Sequence, residues 1–201
     1  MSSLKSHTSL EDRFDQLSAD LLAQPMRIAL MSNAPYAILR YEPDDEWKLR
    51  KLARLLASNL EAHGWRVHSI SMADLMWQAV DETEGMDALV RLERARGFDT
   101  AQRQVNLFLS DPDFRPLPAL LVEKMAGLDP KRDVIFLMRL AALTPSIYHM
   151  SKLSEELMLT GGAEVPLIIF YPGGIEGNTG LRFMDISGRE ALGNYRIKIY
   201  A

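Results

Sequence analysis

At 201 residues, 47% of them hydrophobic, the chain is long enough to bury one substantial core, and a single α/β domain over 1–201 is expected. Its formal charge of −4 argues against a protein whose main task is holding nucleic acid, and the lack of cysteine removes disulfides, thiol nucleophiles and cysteine-based zinc sites. Met1 to His7 carries no apolar core segment and no run approaches a membrane span, so a cytoplasmic protein that does not engage membranes is expected.

Leu10 to Leu22 places Phe14, Leu17 and Leu21 at helical spacing behind Ser9, an N-cap with Asp12 three residues on. Pro35 to Tyr41 follows as a first strand that ends at Glu42-Pro43. Asp44 to His63 is the most regular helix of the sequence, with Leu49, Leu52, Ala53, Leu56 and Leu60 in one stripe and Gly64 as the stop. Its acidic start, Asp44, Asp45 and Glu46, complements the helix dipole, and Glu46 can pair with Arg50 one turn on. Trp65 to Ile70 is a second strand, and Ser71 with Asp74 opens the next helix. An α-helical insertion covers 81–128, in pieces near Met86–Arg96, Asp99–Leu109 and Leu117–Leu128.

Asp133 to Leu140 resumes the sheet, and Thr144-Pro145 opens a crossover helix that runs to Thr160. The run Val165 to Tyr171 is apolar and β-branched, as in a strand covered on both faces, and Pro172-Gly173-Gly174 reads as its closing turn. Leu181–Ile186 and Tyr195–Tyr200 alternate like half-exposed strands and are expected as antiparallel additions at the sheet edge, where Arg196 and Lys198 would blunt pairing with other chains. The fold class is therefore α/β, a mainly parallel central sheet with flanking helices, a helical insertion and antiparallel C-terminal strands.

None of the familiar reaction motifs is present. The glycines at 173, 174, 177 and 180 are followed by a strand and by no Lys-hydroxyl pair, so they do not form a Walker loop. Asp44, Asp45 and Glu46 are adjacent helical residues that do not share a face, and the four histidines show no i, i+4 pair, so neither a metal nor a cofactor is expected. Basic residues at 48–54 and 91–103 are interleaved with acidic ones, as on solvated helix faces. Arg139 interrupts an apolar strand and needs a partner, which Asp44 or Glu46 would supply as a structural ion pair if the two strands are neighbours; otherwise Arg139 reads as a functional contact.

Pro35-Tyr-Ala-Ile-Leu-Arg-Tyr-Glu-Pro-Asp-Asp-Glu-Trp-Lys-Leu-Arg50, then Val67 to Trp77, then Phe170-Tyr-Pro-Gly-Gly174 and Asn194-Tyr-Arg196, resemble the BrxB family of BREX anti-phage defence systems over about residues 10–200. The layout is similar to a nucleotide-binding core without its phosphate-binding lysine, so the resemblance carries over no catalytic residue. It implies a non-catalytic assembly subunit that contacts the PglZ alkaline-phosphatase-like component and, directly or through it, the BREX methyltransferase. Contact with nucleic acid would come through that complex. Two other classes stay open, a divergent nucleotide-binding enzyme and a nucleic-acid-binding module. The carboxyl ends of the first and the Val165 strands bring forward Arg40, Tyr41, Trp47, Tyr171 and Gly174 as a partner-binding rim, because α/β sheets present crevices there and Trp, Tyr and Arg dominate binding hot spots.

Overall fold

The computed structural model describes residues 8–28, 35–144, 153, 164–176, 180–186 and 197–201. Helix α1 (Leu10–Leu22) starts at a complete capping box: the Ser9 hydroxyl accepts from the Asp12 N–H, and the Asp12 carboxylate accepts from the Ser9 N–H at 3.1 Å. Strand β1 (Tyr36–Tyr41) follows, and a 3-10 turn at Pro43–Asp45 leads into helix α2 (Glu46–Ala62). Strand β2 (Arg66–Ser71) runs straight into helix α3 (Met72–Asp81), capped by the Ser71 hydroxyl on the Asp74 N–H. The insertion holds α4 (Met86–Arg96), α5 (Phe98–Ser110) and α6 (Leu117–Met125). Strand β3 (Asp133–Met138), a second 3-10 turn at Leu140–Leu143, and strands β4 (Leu167–Glu176), β5 (Gly180–Phe183) and β6 (Lys198–Tyr200) complete the described elements.

The strand order is β2-β3-β4-β1-β6, every pair along it parallel, with β5 antiparallel to β4. All six residues of β1 are buried, as the apolar run requires of a strand covered on both faces. Alternation then divides the core. Ala37, Leu39 and Tyr41 of β1, with Ile168 and Phe170 of β4, face α1 and α2, where Phe14 stacks on Phe170 at 5.7 Å. Ile38, Ile135, Leu137 and Ile169 face α3, α6 and Leu153. The α2 stripe buries Leu49, Ala53, Leu56 and Leu60 against the first layer, each buried leucine worth about 1.5–3 kcal/mol over exposure. Of the expected crossover helix only Thr144, which closes the 3-10 turn Leu140–Leu143, and Leu153, helical and buried among the second layer, lie within the described residues.

Two expectations change. The strand at the C-terminus is parallel to β1, not antiparallel, with Ala37 opposite Lys198 and Leu39 opposite Tyr200. Short spacing forbids a helical crossover only between strands that pair with each other, and β6 pairs with β1, not with β5 before it. At this edge the Lys198 ammonium is tied inward, donating to Asp20 at 2.5 Å, and the Tyr200 hydroxyl donates to the same oxygen at 2.8 Å; Arg196 lies outside the described residues. Burial raises the Asp20 pKa, but these two hydrogen bonds outweigh it and hold the carboxyl below its ordinary value.

The second change concerns Gly173 and Gly174, which do not close a turn. Strand β4 runs on through them to Glu176, bending as it leaves β1 to pair with β5. At Gly173 φ is +143°, and a Cβ would stand 2.0 Å from the Arg182 carbonyl oxygen. A side chain there would collide with the β5 backbone, so the glycine serves a close strand approach.

Candidate functional site

The carboxyl ends of β1 and β4 lie side by side, Arg40 opposite Tyr171 and Tyr41 opposite Pro172, so the sequence-predicted rim is assembled in space. It is assembled as a sealed plug. Arg40 is 3% exposed, and its guanidinium donates to the Glu42 carboxylate and to the Gly173 carbonyl at 3.2 Å. From α1 a second buried guanidinium arrives, Arg13, donating to the Arg40 and Thr8 carbonyls at 2.8 Å each. Burial, then the neighbouring Arg40 charge, lower the Arg13 pKa. The two guanidiniums tie α1, β1 and β4 together, and among the described residues their carboxylate partner, Glu42, is half-exposed.

Tyr41 is fully buried and donates its hydroxyl to Glu46, which also receives Arg50 Nε at 2.8 Å. Burial, followed by that hydrogen bond to the carboxylate, pushes the Tyr41 pKa far up, so the phenol stays protonated and serves as a fixed donor. Tyr171 is 1% exposed; its ring meets Phe183 edge-on at 5.5 Å and its hydroxyl donates to the Leu181 carbonyl at 3.4 Å. Gly174 passes close to Asp185, whose Oδ1 would stand 2.4 Å from an added Cβ. Trp47 alone among the proposed aromatic contacts faces solvent, 77% exposed, with the Arg50 guanidinium 4.8 Å over its ring. The proposed partner rim is therefore corrected: Arg40, Tyr41 and Tyr171 are consumed by internal bonds because the hairpin β4–β5 and helix α1 cover the place where a doubly wound sheet opens its crevice.

Arg139 is also corrected. Strand β3 ends at Met138, and Arg139 sits beyond it in the left-handed region (φ 59°), 49% exposed in its side chain. Its partners are Asp74 at 3.3 Å and, more weakly, the Ser71 hydroxyl at 3.5 Å. Asp44 and Glu46 are not its partners: β4 stands between β3 and β1 in the sheet, and Glu46 is taken by Tyr41 and Arg50. Among the described residues no three His, Asp or Glu side chains gather in a form that could hold a metal ion.

At the opposite, amino-terminal edge of the sheet lies a polar cluster that the sequence pattern did not single out. Asp133, with no exposed surface, receives both prongs of Arg66 at 2.6 and 2.7 Å, His68 Nε2 lies 2.9 Å away, and the Asp129 N–H donates at 2.6 Å. Burial raises its pKa, but the Arg66 and His68 bonds outweigh it and hold the carboxyl down at about 2. The available signal was an Arg-x-His on one predicted strand and an Asp opening another, but only the register Arg66–Asp133 joins them.

The family model for BREX protein BrxB matches residues 68–198, from the middle of β2 to the start of β6. The chain belongs to the BrxB family. That membership makes it a component of a BREX antiviral defence system. The match begins after the Pro35 to Arg50 segment, so the Arg13–Arg40 knot and Trp47 lie outside the matched residues, whereas Arg139, the helical insertion and the β4–β5 bend lie within them. No curated protein and no solved structure matches the chain. Among the described residues no helix is long and apolar enough to cross a membrane.

Proposed function

We infer that this BrxB-family protein is a non-catalytic assembly subunit of its BREX complex, contacting the PglZ alkaline-phosphatase-like component and, directly or through it, the methyltransferase. The observation that carries this reading is the plug at the carboxyl ends of β1 and β4. A nucleotide-binding sheet keeps this place open and lines it with phosphate-binding N–H groups; here Arg40, Tyr41 and Tyr171 are buried in it, Arg40 bonded to the Gly173 carbonyl of β4, Tyr41 to Glu46 of α2 and Tyr171 to the Leu181 carbonyl of β5. The Tyr41 phenol there is held protonated by burial and by its bond to Glu46, which suits fixed scaffolding more than proton transfer.

The test is co-purification of the tagged chain from its own operon, followed by binding measurements with the purified PglZ-like component. Stoichiometric capture is expected. Capture of neither PglZ nor methyltransferase, together with calorimetric binding of ATP and magnesium, would transfer the protein to the nucleotide-binding class.

A further inference from the structure

Five of the eight large apolar side chains that stay exposed among the described residues lie on α3, α4 and α5: Trp77, Met86, Val90, Phe98 and Leu107. Helix α4 has no buried residue at all, although Met86, Leu89 and Val90 stand at helical spacing along it. A helix usually owes its stability to a packed apolar face; α4 packs against α5 yet leaves Met86 and Val90 exposed and Leu89 and Leu92 only half-buried among the described residues. Between α3, α4 and α5 opens a cavity of about 430 Å³, walled by Met76, Trp77, Leu89, Phe98 and Val105. Arg139 lines its wall. Among the described residues only one nitrogen of that guanidinium is bonded, at 3.3–3.5 Å and to exposed partners. Its left-handed backbone, costly for a residue with a Cβ, keeps the side chain at this position beyond the strand end.

We propose that this groove docks an amphipathic helix from another component of the defence complex, inserting a bulky apolar side chain between Trp77 and Phe98 and setting a carboxylate on Arg139. The inference rests on the assembly reading above and gives that assembly a surface. A helix suits the groove because helices form most of its walls and none of the described residues lining it belongs to a strand. Two charged side chains line the cavity, Arg139 and Glu93 of α4; the carboxylate follows from Arg139, whose incompletely bonded guanidinium beside an apolar contact gains most from a two-pronged acidic partner. A small molecule fits less well, since one filling about 430 Å³ would leave Met86, Val90 and Leu107 in water.

The experiment titrates the full chain against each purified component of its own operon, the PglZ-like protein first. Phe98→Glu and Arg139→Glu should each weaken the interaction by at least about tenfold, and Arg139→Lys should lose less than Arg139→Glu. Trp47→Ala, on the helix that covers the other face of the sheet, should stay within about threefold of wild type. Hydrogen exchange in the complex should slow across α4 and α5. Circular dichroism and urea midpoints of each variant establish that it is folded, and Arg139→Glu carries the test if Phe98→Glu is not. If a component binds the wild type and both groove variants equally, the docking site is wrong and the assembly reading stands. If no component binds the wild type, the assembly reading fails and the docking inference with it. A dimer of the isolated chain that Phe98→Glu dissolves would overturn the proposal in favour of self-association, and protection of α4 only by a copurifying small molecule would overturn it as well.

Discussion

Replacing Asp133 by Asn removes one negative charge from a site with no exposed surface while keeping nearly the same volume. The wild-type carboxylate accepts from Arg66 through both oxygens, from the Asp129 N–H, and lies within hydrogen-bond reach of His68. Its pKa is held at about 2 against an ordinary 3.8, a preference of the folded state for the ionised form worth about 2 kcal/mol near neutral pH. Arg66 is 61% exposed in its side chain and recovers water when its partner is lost, so the cost should stay near about 2–3 kcal/mol, below the larger penalty for orphaning a fully buried cation. Because the folded pKa lies below the unfolded one, the stabilisation is complete above about pH 4 and disappears as pH falls towards about 2. Urea unfolding of wild type and Asp133→Asn, measured in steps from neutral pH to about pH 3, should show the gap shrinking by roughly half at the acid end. A gap that stays constant over that range, or one below about 0.5 kcal/mol at neutral pH, would refute the assignment of a stabilising charge to this cluster.

Gly173→Ala should destabilise by at least about 2 kcal/mol in urea unfolding, since its Cβ must displace the β5 backbone at a positive φ. Arg139→Ala should cost less than about 1 kcal/mol, as expected of an exposed ion pair, and Arg139→Gly should recover part of that loss by relaxing the left-handed backbone. Tyr200→Phe removes the hydroxyl that donates to Asp20 but leaves the Lys198 pair, and should lower stability by about 1 kcal/mol in thermal or urea unfolding. The isolated chain should turn over ATP at less than about 0.1 per second; faster turnover that Tyr171→Phe or Asp44→Ala abolishes would contradict the assembly reading.

Much of the fold was present in local pattern. The capping pairs Ser9–Asp12 and Ser71–Asp74, the stripe Leu49 to Leu60, and the apolar run into Phe170 each rest on residues a few positions apart, so spacing alone determines them. The family resemblance was legible in the same way, through short motifs. What spacing cannot carry is which distant backbones meet. That β6 joins β1 follows from where the chain returns after β5, and that Gly173 meets β5 follows from a bend in β4; neither leaves a periodic mark. Arg40, Tyr41 and Tyr171 have the composition of a binding rim, yet the tertiary structure places α1 and the β4–β5 hairpin over them and turns the same polar tips inward. Arg139 reverses in the other direction: one residue beyond the end of β3, it leaves the buried sheet for a cavity wall. A side chain's type fixes what it can bond, but whether it bonds the chain or a partner depends on burial, which non-local packing alone decides.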